Sequence, residues 1–314
     1  MPSPLPGISI GHWQDLEALT GCTVLLPAAG SMRAGVSVGG GAPGTRETDL
    51  LAPTATVQEI HALLLTGGSA FGLDAAGGVM RYLREQGIGY DVGVAKVPIV
   101  PAAVIFDLDA GSAEIYPDGV AGYAACRAAA PDEAREGTVG AGTGASVGRM
   151  LGPAGRTKGG IGIASSGPGE PVAMGVIAVV NAVGDVLERD GTIIAGTRGA
   201  HGFAGSAAVL RGAGGRPAAR PLGNTTLVAI ATSAKLDKLG LTRLARQAHD
   251  GLAHAINPVH TAFDGDTVFA LSTGEDDTNP ELLAVLAVAL TAGAIRRAVR
   301  QATGAGGIPA ARDL

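Results

Sequence analysis

Apolar residues in this chain gather into short runs, and the spacing inside each run separates strands from helices. Gly21–Pro27 (GCTVLLP) and Val100–Leu108 (VPAAVIFDL) read as strands. Met174–Asn181 reads as a buried apolar strand, and Gly184-Asp185 offers a turn into a second strand at Val186–Arg189. Helical spacing runs through Thr56–Leu65, where Ile60, Leu63 and Leu64 recur and Gly67-Gly68 supplies a C-terminal stop. The same spacing predicts a helix over Phe71–Gln86, through Leu73, Val79, Met80 and Leu83.

The last third of the chain is the most regular. Thr225–Thr232 (TTLVAIAT) is β-branched and apolar, which suits a strand. Leu241–Ile256 follows as a helix, with Thr242 as N-cap, Leu244, Ala248, Leu252 and Ile256 on one face, and Asn257-Pro258 as its stop. Asp266–Ser272 (DTVFALS) is the next strand, and Glu281–Arg300 the next helix, its end complemented by Arg296, Arg297 and Arg300. If the two strands are parallel neighbours, their N-terminal ends share one sheet edge. Thr225 then lies near Asp264-Gly265-Asp266, although 39 positions separate Thr225 from Asp264. A loop-like stretch, Gly196–Gly223 with Pro217 and Pro221, precedes this part.

Composition narrows the class. The chain has 314 residues, 46% hydrophobic but only 3% aromatic, so its apolar content is built from small side chains. Such hydrophobicity with a net charge of −5 excludes disorder. The acidic balance argues against nucleic-acid binding. No N-terminal segment combines a basic and an apolar region, and the longest apolar runs, around Val172–Val180 and Leu282–Ile295, fall short of a membrane span. Cys22 and Cys126 are isolated, which suits a reducing compartment, the cytoplasm. The 51 glycines lack a collagen period and call for close backbone approach at many places.

Candidate chemistry is sparse. Thr225, within Gly223-Asn224-Thr225-Thr226, is either a residue entering a strand or a nucleophile. An N-terminal threonine carries its own base, its α-amino group, which here requires cleavage of the Asn224–Thr225 bond. The hydroxyl could make that cut by attacking the Asn224 carbonyl. Asp264 and Asp266 are either an ordinary turn or a pair that orients the Thr225 amine and hydroxyl. Gly140–Arg149 lacks the ending of a phosphate loop and reads as tight backbone beside a pocket with exposed N–H groups. Ser69 fails the nucleophile-elbow pattern because Phe71 stands where glycine is needed. His249, His254 and His260 lack zinc spacing and read as helix and loop residues; no metal or cofactor is called for.

Taken together, Gly21–Val24, Gly41–Asp49, Gly67–Gly72, Gly140–Arg149, Asn181, Gly223–Thr226 and Asp264–Asp266 resemble one family across nearly the whole chain. It holds the DmpA-type aminopeptidases, the β-peptidyl aminopeptidases and the nylon-oligomer (6-aminohexanoate-oligomer) endohydrolases, the last most similar around GNTT and DGD. The resemblance implies an α/β fold: a four-layer αββα sandwich, like N-terminal-nucleophile hydrolases but with different connectivity. It implies a single domain, 1–314, self-processed into chains 1–224 and 225–314 that stay associated. Thr225 would be the nucleophile, Asp264 and Asp266 would position it, and Asn181 would hold the reacting group or oxyanion. Arg149 stands where the nylon-oligomer enzymes have lysine, keeping the charge without the exchangeable proton. Phe106 stands where they have tyrosine. Lys158 is a second candidate for the amine that Arg149 cannot supply.

The resulting expectation is a cofactor-free hydrolase of small peptides or amide oligomers, assembled as a homo-oligomer, a tetramer by family likeness. The alternative is an unprocessed member of the same scaffold that binds small molecules without turning them over.

Overall fold

The apolar runs stack as two sheets whose strands are buried on both faces. The computed structural model describes residues 3–167, 169–212, 214 and 223–314. One sheet has six strands in the spatial order Gly160–Ser165, Met174–Asn181, Thr225–Ala234, Thr267–Asp276, Met32–Val38 and Glu59–Ile60. The other has five: Ile8–Asp15, Thr20–Pro27, Leu63–Thr66, Ala102–Val104 and Thr45–Arg46.

Strand alternation sends successive side chains into different layers. Val176, Ala178 and Val180 face the helices Lys238–Ala253 and Pro280–Gln301, meeting Leu244, Ala248 and Ile295. Their neighbours Ile177 and Val179 face the other sheet and join Leu25, Leu63 and Leu65. Beyond that sheet, Val24 and Leu64 pack with Val79, Leu83 and Ala125 of the helices Ala75–Glu85 and Gly119–Arg127. Three apolar layers between four structural ones make an αββα sandwich, as the resemblance implied.

The pairing that matters for chemistry is parallel. Thr225–Ala234 and Thr267–Asp276 run side by side, with Leu227 opposite Thr267, and the Lys238–Ala253 helix forms the crossover. On its other edge Thr225–Ala234 pairs antiparallel with Met174–Asn181, so Thr225 lies opposite Asn181.

Several expectations need correction. Thr56–Leu65 is not a helix: Glu59–Ile60 and Leu63–Thr66 are strands in different sheets. A short apolar run fits either a helix or a doubly buried strand, and the slot between Thr20–Pro27 and Ala102–Val104 decides for the strand. Only Ala102–Val104 of Val100–Leu108 is strand. The strand after Gly184 spans Asp185–Leu187 and pairs with Ile193–Ala195 and Ile256–Asn257 rather than folding back on Met174–Asn181. The first long C-terminal helix begins earlier than expected, with Asp237 as its cap accepting from Gly240 N–H at 2.7 Å. Thr242 lies inside it and donates to the Lys238 carbonyl. Within Gly196–Gly223, Ser206–Gly212 is helical, whereas Pro217 and Pro221 lie outside the described residues. The Pro280–Gln301 helix does reach membrane-spanning length and hydropathy, 22 residues with a mean of 1.8, but 56% of its apolar window is buried. Its apolarity serves packing on the six-stranded sheet.

That packing explains part of the glycine excess. A Cβ on Gly162 would lie 2.0 Å from the Ala294 carbonyl oxygen, so the helix rides directly on bare strand backbone. Gly77, by contrast, is an exposed helix residue with nothing near its missing Cβ. Gly162→Ala should therefore destabilise the fold by about 1–3 kcal/mol through overpacking. Gly77→Ala should stabilise it by about 0.5–1 kcal/mol through helix propensity. Urea-denaturation midpoints moving in opposite directions check both.

Candidate active site

The parallel pairing brings the Asn224–Thr225 peptide bond against the Asp264-Gly265-Asp266 turn. Gly223, at φ +49°, turns the chain into the strand with its backbone packed on the Phe106 side chain. Asn224 then bridges Asp264, and its carbonyl oxygen accepts from Gly265 N–H at 2.7 Å. The Thr225 hydroxyl donates to that same oxygen at 2.5 Å. Gly265 has no room for a side chain: a Cβ there would lie 2.7 Å from both Thr225 Oγ1 and the Ala42 carbonyl oxygen.

The two carboxylates hold the residues around this bond. Asp264 accepts from Val183 N–H at 3.2 Å and from the Thr261 amide and hydroxyl at 3.0 and 2.6 Å. Asp266 accepts from Thr226 N–H at 2.7 Å through one oxygen and faces His260 Nδ1 at 2.8 Å through the other. Both are buried. Burial, with the charge of Asp266 beside it, pushes Asp264 up to about 6.

Asn181 and Arg149 meet on the other flank. Asn181 donates to the Phe106 carbonyl at 3.0 Å and accepts from Ser146 N–H at 2.9 Å and Arg149 Nη2 at 3.4 Å. Arg149 also donates to Ser146 Oγ at 2.8 Å and pairs with Asp109 at 2.9 Å. Arg156 reaches the same Asp109 carboxylate at 3.1 Å, so one exposed acid pairs with two buried guanidiniums.

Lys158 is fully buried, and its ammonium donates to the carbonyls of Gly142, Ala145 and Gly159 at 3.0, 2.8 and 3.2 Å. Burial pulls it down to about 7. Two of its donors are committed to the glycine-rich loop and the third to the carbonyl of Gly159 next to it in the chain. That loop departs from the expectation of exposed N–H groups: Ala141 N–H donates to Thr23 Oγ1 and Ser146 N–H to Asn181. Asp107, which accepts from Thr20 Oγ1 and Gly68 N–H, is pushed up to about 6 by burial.

The structure thus gathers Thr225, Asn224, Asn181, Asp264, Asp266 and Arg149 around one peptide bond and the strand ends beside it. Sequence reasoning missed His260, His249 and Asp109. His260 stands six positions before Asp266, but no spacing rule ties a loop histidine to a turn carboxylate. Among the described residues, no group of three or more His, Cys, Asp or Glu side chains is arranged to hold a metal ion.

Comparison with known proteins agrees with this architecture. The profile of Peptidase family S58 matches residues 4–310. An uncharacterized aminopeptidase of Mycobacterium tuberculosis is 45% identical over 296 residues, covering 88% of this chain and 82% of that one. A 6-aminohexanoate-oligomer endohydrolase of Agromyces sp. is 36% identical over 277 residues, covering 87% and 74%. Two solved structures share the fold at low identity. A beta-aminopeptidase of Burkholderia sp. superposes with a TM-score of 0.69 at 21% identity, over 98% of this chain and 90% of that one. The L-aminopeptidase D-Ala-esterase/amidase of Ochrobactrum anthropi, described as a variant of the Ntn hydrolase fold, gives 0.71 at 19%, over 96% and 86%. The chain belongs to peptidase family S58 and is a hydrolase of amide bonds.

Proposed function

We propose that Thr225 is the nucleophile of a self-processing amide hydrolase, freed as an N-terminal residue by cleavage of the Asn224–Thr225 bond. One observation carries this reading: the Thr225 hydroxyl and the Gly265 N–H converge on the Asn224 carbonyl oxygen, at 2.5 and 2.7 Å. A nucleophile and an oxyanion donor on one peptide bond are the two parts an acyl shift needs. The Thr225 oxygen bonds to the Asn224 carbonyl carbon, and negative charge develops on the oxygen that Gly265 N–H already faces. The C–N bond then breaks, and the hydroxyl proton ends on the Thr225 nitrogen. Water opens the ester, leaving a carboxylate on Asn224 and a free amine and hydroxyl on Thr225.

Chains 1–224 and 225–314 remain one domain, because Thr225–Ala234 is hydrogen-bonded within the sheet on both edges. In turnover the freed amine takes the hydroxyl proton as Thr225 attacks a substrate amide. The proton passes to the leaving amine, and water releases the acyl group. Asn181 holds the reacting carbonyl, Arg149 fixes Asn181, and Asp264 and Asp266 hold the strand ends. The substrates are short peptides or amide oligomers. The names borne by the M. tuberculosis and Agromyces relatives point the same way.

Full-length chain made by cell-free synthesis should yield fragments of 224 and 90 residues, about 22 and 9 kDa by proportion to 30.9 kDa. Thr225→Ala should leave a single band on a denaturing gel and no amide hydrolysis. Fragments of those sizes from that variant would move the nucleophile elsewhere. Gly265→Ala, which drives a methyl group into Thr225 Oγ1, should slow processing about a hundredfold, the scale of a lost oxyanion donor.

Processing should also fall on acidification through about 6. Protonation removes the charge that strengthens the hydrogen bonds Asp264 accepts from Val183 and Thr261 and places a hydrogen on an oxygen that now only accepts. The folded chain binds this proton more tightly than the unfolded one, so the group adds stability at low pH and gives it up as pH rises through about 6. The acid loss therefore reports the site rather than unfolding through Asp264. Fragment yield against pH, measured beside the denaturation midpoint, checks the sign.

A further inference from the structure

His249 and His260 belong to no sequence motif, yet they join the site through Asp266. His260 Nδ1 lies 2.8 Å from Asp266 Oδ2, His260 Nε2 3.2 Å from His249 Nδ1, and His249 Nε2 3.2 Å from the Ser37 carbonyl oxygen. The rings stand edge to face with centroids 4.7 Å apart. A carbonyl only accepts, so His249 carries a hydrogen on Nε2. Three hydrogen bonds in series need three hydrogens, and two neutral imidazoles supply two. The third must lie between His260 and Asp266, as imidazolium on carboxylate or imidazole on carboxylic acid, or else on His249. Burial and the neighbouring His260 both push the His249 imidazole down, which disfavours the last of these.

We propose that His260 is a positioning residue for Asp266, and that His249, His260 and Asp266 act as one unit that holds a third proton while the site works. The proposal rests on the reading of Thr225 as nucleophile. His260 binds Asp266 Oδ2 twice, through its ring and through its backbone N–H at 3.2 Å. That leaves Oδ1 for Thr226 N–H, one residue beyond Thr225. The double contact comes with φ +52° at His260, a left-handed backbone uncommon for a residue with a side chain. Bare Gly39 makes the room: a Cβ there would lie 2.7 Å from His249 and 3.0 Å from His260. Among the described residues, the other charged groups facing the unit are Asp250, on the helix that carries His249, and Asp264 beside Asp266. Both are acidic. Once the proton is lost, a ring lone pair faces the carboxylate, and the His260 backbone N–H alone still holds Asp266 Oδ2.

The test uses full-length protein. His260→Gly removes the ring and tolerates the positive φ. His260→Asn also tolerates it, keeps an N–H donor near the Nδ1 position, and does not titrate. Self-processing is followed against pH. His260→Gly should slow it about tenfold or more, the scale of one lost charge-assisted hydrogen bond. His260→Asn should recover most of the rate and lose the alkaline limb of the wild-type profile. A glycine variant with the native rate and profile overturns the proposal.

Nitrogen NMR of the imidazoles in the Thr225→Ala chain gives a second reading that needs no cleavage. The expected result is three hydrogens shared among His249, His260 and Asp266 at the pH of fastest processing, with signals assigned by their loss in His260→Asn. Two singly protonated rings beside an ionised Asp266 overturn the proposal even if the glycine variant does not fold. Failure of the Thr225 reading shows separately, as cleavage of the Thr225→Ala chain.

Discussion

The parallel pairing of Thr225–Ala234 with Thr267–Asp276 is the constraint on which the site depends. A parallel pair joined by a helix must start both strands at one edge. Here that edge presents a peptide bond from one strand entry and an acidic glycine turn from the other. Register is enforced on both faces at once. Leu227 and Ala229 fill the layer between the sheets, while Val228 and Ile230 fill the layer under the helices. A slip of one residue would exchange these sets and carry Thr225 away from Gly265. The core thereby sets a distance in the site to within a fraction of a strand repeat.

The same sandwich explains an apolar chain with so few aromatics. Strands buried on both faces and helices seated on strand backbone leave narrow layers, which Ala, Val, Leu and Ile fill. Among the described residues Phe269 is a rare fully buried large ring, and Gly162 shows how closely a helix can lie on the sheet. Narrow layers also make the site dry. Buried carboxylates are tolerable only when their oxygens are occupied. Asp264 meets this with Val183 and Thr261, and Asp266 with Thr226 and His260.

Much of this was legible in the chain. The β-branched run from Thr225, the amphipathic stretch that follows it and the run after Asp266 carry local signals strong enough to give their order, while the shared edge follows only on the condition of parallel pairing, which the structure meets. Thr56–Leu65 was misread because its apolar spacing is shared by a helix and a doubly buried strand, and only partners distant in sequence choose between them. Asp109 and His260 were invisible for a related reason. Their roles arise when the buried Arg149 and Asp266 need partners, a demand that exists only after folding. Lys158 looked like a free amine in sequence, but three backbone carbonyls claim it once the glycine loop closes around it.

Burial of the Asn224–Thr225 bond also orders events. Asn224 is fully buried and Thr225 almost so; a substrate cannot reach the hydroxyl while Asn224 occupies the Gly265 N–H. On the reading of Thr225 as nucleophile, cleavage therefore does two things: it creates the amine, and it frees the preceding segment to leave the oxyanion donor. Gly223 brings no side chain to its contact with Phe106, and Asn224 is tied by its N–H to Phe263 and by its carbonyl to Gly265. Once the covalent link is gone, the hold on Asn224 is these two backbone hydrogen bonds, about 0.5–1.5 kcal/mol net each for neutral partners, together with the burial of its side chain. Thr225, by contrast, stays anchored through a strand paired on both edges. On that reading, the side of the bond that stays is built into the sheet, and the side that moves is held by Phe263, Gly265 and the burial of Asn224.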